Sequence, residues 1–322
     1  MSAPVVSVIV PNYNHAIFLR ERLDSILNQT FQDFELILLD DCSTDDSANV
    51  LDSYKEHPRV SSVVVNHTNT GSPCSQWKTG LEQARGHYVW IAESDDVADS
   101  SFLEVLLQTM SDYPDVMVAY SQSRRIDQDG QNLGVQDWTD DLDPVRWKSA
   151  FHNTCVDELT SFLRFRNTVP NASAALIRRD AFAGVIFPDD MLYAGDWFVW
   201  LQVLSRGGTV IYHPESLNLF RSHNATTRGS DRFIESDIRR VTEFIRCYES
   251  CSLNRSNTIA DARLRWIIEE YESVRRRVAN SGFRVPRLPL SLRKLHTKHY
   301  GHRVPGLRRR VIQRIKRLWN EK

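Results

Sequence analysis

Short apolar runs of strand length alternate with helix-spaced segments over the first ~120 residues, and few architectures accommodate that alternation. Val5–Val10 is an almost unbroken β-branched run, as expected for a strand buried on both faces. Ile17, Leu19, Leu23, Ile26 and Leu27 follow near helical spacing, and Phe34–Leu39 is a second buried strand. Asp45-Asp46-Ser47 offers N-cap residues for a helix through Lys55. Val60–Val65 reads as a strand, Gln76–Ala84 as a helix and Tyr88–Ala92 as a strand. The pattern predicts an α/β fold with a mostly parallel central sheet flanked by helices. Such sheets bind ligands at the carboxyl ends of their strands. Pro11-Asn12-Tyr13-Asn14, Asp40-Asp41 and Glu93-Ser94-Asp95-Asp96 stand there.

Beyond this region, Val116–Ser121 and Ala172–Ile177 look like further strands, and Asp127–Asp143 reads as loop. Asp196 leads a short apolar helix, Trp197–Leu204, and Val210–Tyr212 and Leu217–Phe220 look like two short strands. From Asp231 to Asn280 the pattern predicts two long helices broken near Leu253–Asn257. The expected division is a catalytic domain over residues 1–230 and a helical region over 231–322.

With 41% hydrophobic and 25% charged residues in 322, a disordered chain, a collagen-like repeat and a disulfide miniprotein are excluded. No apolar run approaches the ~18 residues of a membrane span. Met1-Ser2-Ala3-Pro4 lacks the basic start of a signal peptide. Five cysteines without a CxxC pair argue for a reducing compartment and against a zinc site. The cytoplasm is the expected location.

The near-zero net charge hides an asymmetry. Of 40 Lys plus Arg and 41 Asp plus Glu, 13 bases and one acid lie between Arg284 and Lys322, leaving 27 bases and 40 acids elsewhere. Leu307, Val311, Ile312, Ile315, Leu318 and Trp319 recur at helical spacing among arginines and lysines. Such a basic amphipathic helix suits a membrane surface or docks on the acidic body. Nucleic acid is not an expected partner, because no binding motif accompanies the charge.

Acids after strands often cap helices or bend turns, and for Asp45 or Asp46 that reading suffices. Three acids within Glu93–Asp96 repel one another and become stable with a cation or hydrogen-bonding ligand between them. Oxygen ligands suit Mg²⁺ or Mn²⁺ bridging to substrate phosphates. Neither GxxxxGKS/T nor GxGxxG is present, so a nucleotide would be held by metal and carboxylates.

Val6–Asn14, Ser25–Thr30, Glu35–Asp45, Asn69-Thr70-Gly71, Gly86, Glu93–Asp96, Gly195-Asp196-Trp197 and Leu217–His223 together resemble glycosyltransferase family 2. The resemblance covers about residues 5–228 and implies a GT-A fold, a Mn²⁺ or Mg²⁺ ion, inversion at the anomeric carbon and a nucleotide-diphospho-sugar donor, a UDP-sugar first. It implies that Asp41 binds uracil and Tyr13 stacks on the base, with Pro11 and Ser94 beside them. It further implies that Asp95 ligates metal and that Asp196 is the catalytic base. Arg221 and His223 match a basic motif, from which either side chain would reach the diphosphate and His223 would complete the metal shell. The sequence departs from the family at Glu93, one methylene longer than the usual Asp, and at Gly195, where a Glu usually precedes the base. The expected acceptor is a growing, lipid-linked glycan, with the enzyme held at the inner face of the membrane by its tail. A nucleotidyltransferase would show a Gly-rich basic loop after the first strand, and Pro11–Asn14 is neither. A non-catalytic sugar-nucleotide-binding scaffold is disfavoured by the joint presence of Asp41, Asp95 and Asp196.

Overall fold

In the computed structural model the described residues are 3–137, 139–140, 142–169, 171–223, 234–251, 264–279 and 283–300. The basic stripe from Leu307 to Trp319 and the expected helix break near Leu253–Asn257 lie outside them. In chain order the strands are β1 (Val6–Asn12), β2 (Phe34–Asp40), β3 (Val60–Val65), β4 (Tyr88–Ile91), β5 (Val97–Ala98), β6 (Val116–Ile126), β7 (Asn132–Val135), β8 (Phe151–Thr154), β9 (Ala175–Arg178) and β10 (Thr209–Arg221). The α-helices are α1 (Ala16–Leu27), α2 (Ser47–Asp52), α3 (Pro73–Gln83), α4 (Phe102–Ser111), α5 (Cys155–Glu158), α6 (Gly195–Leu204), α7 (Ile234–Ser250), α8 (Arg265–Val278) and α9 (Leu290–Tyr300).

β1 and β2 are buried at every position, which explains their near-continuous apolar sequences. The sheet runs β3-β2-β1-β4-β9-β6-β10-β5, with β7 on β6 and β8 on β10. The pairings among β1–β4 and between β6 and β10 are parallel. The shorter β5, β7, β8 and β9 contribute the antiparallel pairs. Val6, Val8, Leu36 and Leu38 join Leu19, Leu23 and Ile26 of α1 and Phe102, Leu103 and Leu106 of α4 in one core. Burying each such side chain contributes about 1.5–3 kcal/mol. A Cβ at Gly86 would stand 2.4 Å from the Ser7 nitrogen, so only glycine lets the chain enter β4 so close to β1.

Several expectations change in detail. The two strands predicted within residues 210–220 are one, β10, whose register with β6 shifts between His213 and Ser216. The segment 127–143, read as loop, contains β7. The helix α4 was not anticipated. The chain divides into two compact units between Leu253 and Asn254, with α7 in the first. In the second unit, Glu272 of α8 accepts hydrogen bonds from Arg275 at 2.7 Å and pairs with His296 of α9.

Candidate active site

The loops after β1 and β2 are fastened to each other. Asp40 accepts from Asn12 Nδ2 (2.7 Å), Ser43 N (2.8 Å) and Ser43 Oγ (2.6 Å). Asn14 adopts a left-handed φ of 56°, which Asn tolerates better than most residues, and its Oδ1 accepts from Thr44 N at 2.7 Å. Asp45 accepts from both Ser47 N and Ala16 N, so it serves the starts of two helices. Asp40 is therefore occupied with architecture, while its neighbour faces a cleft of about 480 Å³, a size suited to a small-molecule ligand.

Pro11, Tyr13, Asp41, Glu93, Ser94, Asp95 and Asp196 all line that cleft. Tyr13 is 44% exposed, an aromatic face available for stacking. Asp41 Oδ1 accepts from Asn66 Nδ2 (2.8 Å), Gln76 Nε2 (2.9 Å) and Thr70 N (3.0 Å). Its Oδ2 accepts from Thr70 Oγ1 (2.8 Å) and shares the same Thr70 N–H. A carboxylate offers about four lone-pair sites. Oδ1 is saturated, and the remaining capacity is on Oδ2.

The acidic cluster after β4 is differentiated: Asp96 is buried, and Glu93 and Asp95 are half-buried at the cleft. Glu93 accepts from the Trp77 indole N–H at 2.9 Å. Burial and then the charge of Asp95 push its pKa up to about 8. Burial would also raise Asp95, but a hydrogen bond from His223 and the nearby His15 and His223 charges bring it below the ordinary value. Asp96 is pushed up by burial and by Asp95, and it accepts from Arg221 N at 3.0 Å. Arg22 of α1 is wholly buried, 4.9 Å over the Trp90 ring, and its charge acts on Asp96, Asp95 and Glu93.

The end of β10 delivers His223 to this cluster, with Nε2 3.1 Å from Asp95 Oδ2. His15 joins from the start of α1, where its Nδ1 is 2.9 Å from Ser94 Oγ. Ligand atoms of His15, Asp95 and His223 lie within 4.8 Å of one another. Two imidazoles and a carboxylate are a donor set that fits a divalent ion such as Mn²⁺. His15 was missed as a candidate; its signal was its position just beyond the carboxyl end of β1.

Arg221, expected to face the diphosphate, is 1% exposed and turned inward. Its Nη2 is 2.6 Å from Glu21, its Nε donates to Asp95 O at 2.8 Å, and its Nη1 donates to Asp127 O and Gln128 O, each at 3.1 Å. Its guanidinium lies 4.8 Å over the Phe18 ring. Asp196 sits in the first turn of α6, whose N-cap is Ala194. It accepts from Asn167 Nδ2 at 2.8 Å and from Trp197 N at 2.7 Å. Asp196 is thus not the N-cap residue, though its Oδ1 takes one first-turn N–H.

A sheet of this order, with a carboxylate-lined cleft at its strand ends and helices on its faces, is a GT-A nucleotide-sugar transferase fold. Residues 7–184 match the model of glycosyl transferase family 2, and the chain belongs to that family. It is a glycosyltransferase. TuaG of Bacillus subtilis, assigned to teichuronic acid biosynthesis, is 30% identical over 221 residues, covering 69% of this chain and 80% of the relative. An uncharacterized glycosyltransferase of Haemophilus influenzae is 28% identical over 229 residues, covering 70% and 68%. TarS of S. aureus in complex with UDP-GlcNAc shares the fold with a TM-score of 0.62 at 18% identity, over 91% of this chain and 78% of that one. The mannosyltransferase PcManGT of Pyrobaculum calidifontis, in complex with GDP-Man and Mn²⁺, matches with a TM-score of 0.58 at 18% identity, over 100% and 89%.

Proposed function

We propose that this glycosyltransferase is inverting and metal-assisted, moving a sugar from a nucleoside-diphospho-sugar to a hydroxyl of a growing, lipid-linked cell-surface glycan. The observation that carries the reading is the convergence of Asp41, Asp95 and Asp196 on one cleft. Tyr13 stacks on the base, and the spare capacity of Asp41 Oδ2 receives a pyrimidine N–H or a ribose hydroxyl, which favours a UDP-sugar. His15, Asp95 and His223 would hold Mn²⁺ or Mg²⁺. The ion supplies charge compensation for the departing diphosphate.

Asp196 takes the proton of the acceptor hydroxyl. That oxygen attacks the anomeric carbon from the face opposite the diphosphate. The bond from that carbon to the phosphate oxygen breaks, and its electron pair leaves with the diphosphate. Asn167 and the Trp197 N–H hold the two oxygens of Asp196 in place for this step. The acceptor class rests on the relative assigned to teichuronic acid biosynthesis and on a 32% identical stretch of 128 residues shared with a chondroitin synthase of Escherichia coli. Among the described residues no helix is long and apolar enough to cross a membrane. Attachment at the inner face is assigned to the basic tail.

The deciding experiment incubates the protein and Mn²⁺ with a panel of UDP- and GDP-sugars and measures release of nucleoside diphosphate. Turnover of one donor, lost in Asp95→Ala, is the expected result. No release from any donor, with or without candidate glycan acceptors, would sink the reading.

A further inference from the structure

The segment 190–194, which leads into α6 and Asp196, is gripped by α7. Arg246 Nη1 lies 2.7 Å from each carboxylate oxygen of Asp190, and Arg239 Nη2 donates to Asp190 O at 3.1 Å. Cys247 Sγ is 3.5 Å from Ala194 O. The centre of the grip is Glu243, 4% exposed. Its Oε1 accepts from Leu192 N at 2.9 Å, and its Oε2 accepts from Tyr193 N at 2.7 Å and Ala194 N at 2.9 Å.

Three consecutive backbone N–H groups outside any helix need acceptors when they are removed from water. A single carboxylate satisfies all three with charge-assisted bonds, which are stronger and more directional than neutral ones. Met191, Leu192 and Tyr193 form one wall of the cleft, and Ala194 is the N-cap from which α6 projects Asp196. Glycine at 195 leaves the backbone between the cap and Asp196 without a side chain of its own to anchor it. The anchor is supplied across the chain, from α7.

We propose that Glu243 is a positioning residue for the reaction. It fixes the segment that aims Asp196 and shapes the wall against which the acceptor hydroxyl is presented. This rests on the assignment of Asp196 as the base. In Glu243→Gln one of the two acceptor oxygens becomes an NH₂, which meets a backbone N–H donor to donor. The segment then loses its fixed position while its apolar packing stays.

The test is a four-enzyme cycle of parent, Asp196→Asn, Glu243→Gln and the double variant. The readouts are kcat and KM for nucleoside diphosphate release from the sugar nucleotide the parent turns over, with Mn²⁺, together with UDP binding and melting temperature. Glu243→Gln is expected to lower kcat by about 10²-fold. KM and UDP binding should stay within about twofold, and the loss should nearly vanish in the Asp196→Asn background, as for residues that act as a unit. Glu243→Asp keeps the charge but reaches less far, and its kcat should be intermediate; it carries the test if Glu243→Gln does not fold. A normal kcat in the folded variant, or a loss of equal size in both backgrounds, overturns the proposal. A lower melting temperature with unchanged kcat marks a purely structural contact and also overturns it. If Asp196→Asn itself turns over normally, the base assignment falls first and this proposal with it. An inactive Asp196→Asn beside an active Glu243→Gln removes only the role of Glu243.

Discussion

His223 approaches Asp95 through Nε2 at 3.1 Å while its ring meets that of His15 edge-on, 5.3 Å between centroids. The three side chains come from the start of α1, the loop after β4 and the end of β10. They meet only because those ends of the sheet converge. Removing divalent ions with chelator should abolish nucleoside diphosphate release, and Mn²⁺ or Mg²⁺ should restore it. His15→Ala and His223→Ala should each raise the Mn²⁺ concentration for half-maximal activity by at least about 10-fold. Manganese titrations of the variants check this, and an unchanged requirement in both would exclude the triad as the metal site. Glu93→Ala should do less harm than Asp95→Ala, since Glu93 is outside the triad and bonded to Trp77.

Asp196→Asn keeps the shape of the carboxylate and cannot accept the proton. Turnover should fall ~10²–10⁴-fold with UDP affinity little changed. Calorimetric titration beside a rate assay separates these quantities. Near-normal turnover would place the base elsewhere.

Glu35 is a structural carboxylate whose titration should be visible in stability. Burial alone would raise its pKa, but bonds from Ser7 Oγ (2.6 Å) and Arg85 Nε (2.8 Å) help hold it below the ordinary 4.5. A depressed folded pKa means that its contribution is fully present above pH 4.5 and is lost as pH falls through the lower folded value. Thermal melts from pH 7 to pH 3 should show a steeper acid decline for the parent than for Glu35→Gln. Parallel curves would refute the assignment.

The basic stripe from Leu307 to Trp319 lies outside the described residues, and its role is tested by removing it. Ending the chain at Gly306 deletes seven of the thirteen tail bases. Each Lys or Arg near an anionic surface contributes about 1 kcal/mol. Flotation with anionic vesicles should drop while turnover with a soluble acceptor is kept. The intact protein should detach at 1 M salt, where the Debye length is ~3 Å. Equal flotation of both forms would show that the tail is not the anchor.

The parts of the fold legible in the sequence are those whose signal is local. β1 and β2 announce themselves because both faces are buried, so apolar residues dominate the run and the polar Ser7 and Glu35 within it satisfy each other. α4 carries its buried residues Phe102, Leu103, Leu106 and Met110 on one face, between two acidic stretches that read as loop. β10 was divided in two because Pro214 and Glu215 interrupt it, and the register shift that absorbs them is a property of the pairing with β6. The insertion of β9 between β4 and β6 is likewise a matter of pairing. At the site, motif order led to Asp41, Asp95 and Asp196, all of which the cleft collects. The orientation of Arg221 was not legible, since its partners Glu21, Asp127 and Gln128 are remote in sequence. Glu243 was equally silent, being one acid among several on an amphipathic helix.

A side chain at position 195 has a neighbour already in place: a Cβ there would stand 2.7 Å from Cys74 Sγ. Positions 74 and 195 therefore share one small volume across 120 intervening residues, though each belongs to a different helix start. A larger side chain at 195 requires the Cys74 thiol to move or to be replaced by a smaller group. Glycine or alanine at 74 would vacate the volume that the thiol now fills. Homologues with Glu at 195 should carry Gly or Ala at 74, and libraries built to alter the acceptor wall should vary the two positions together.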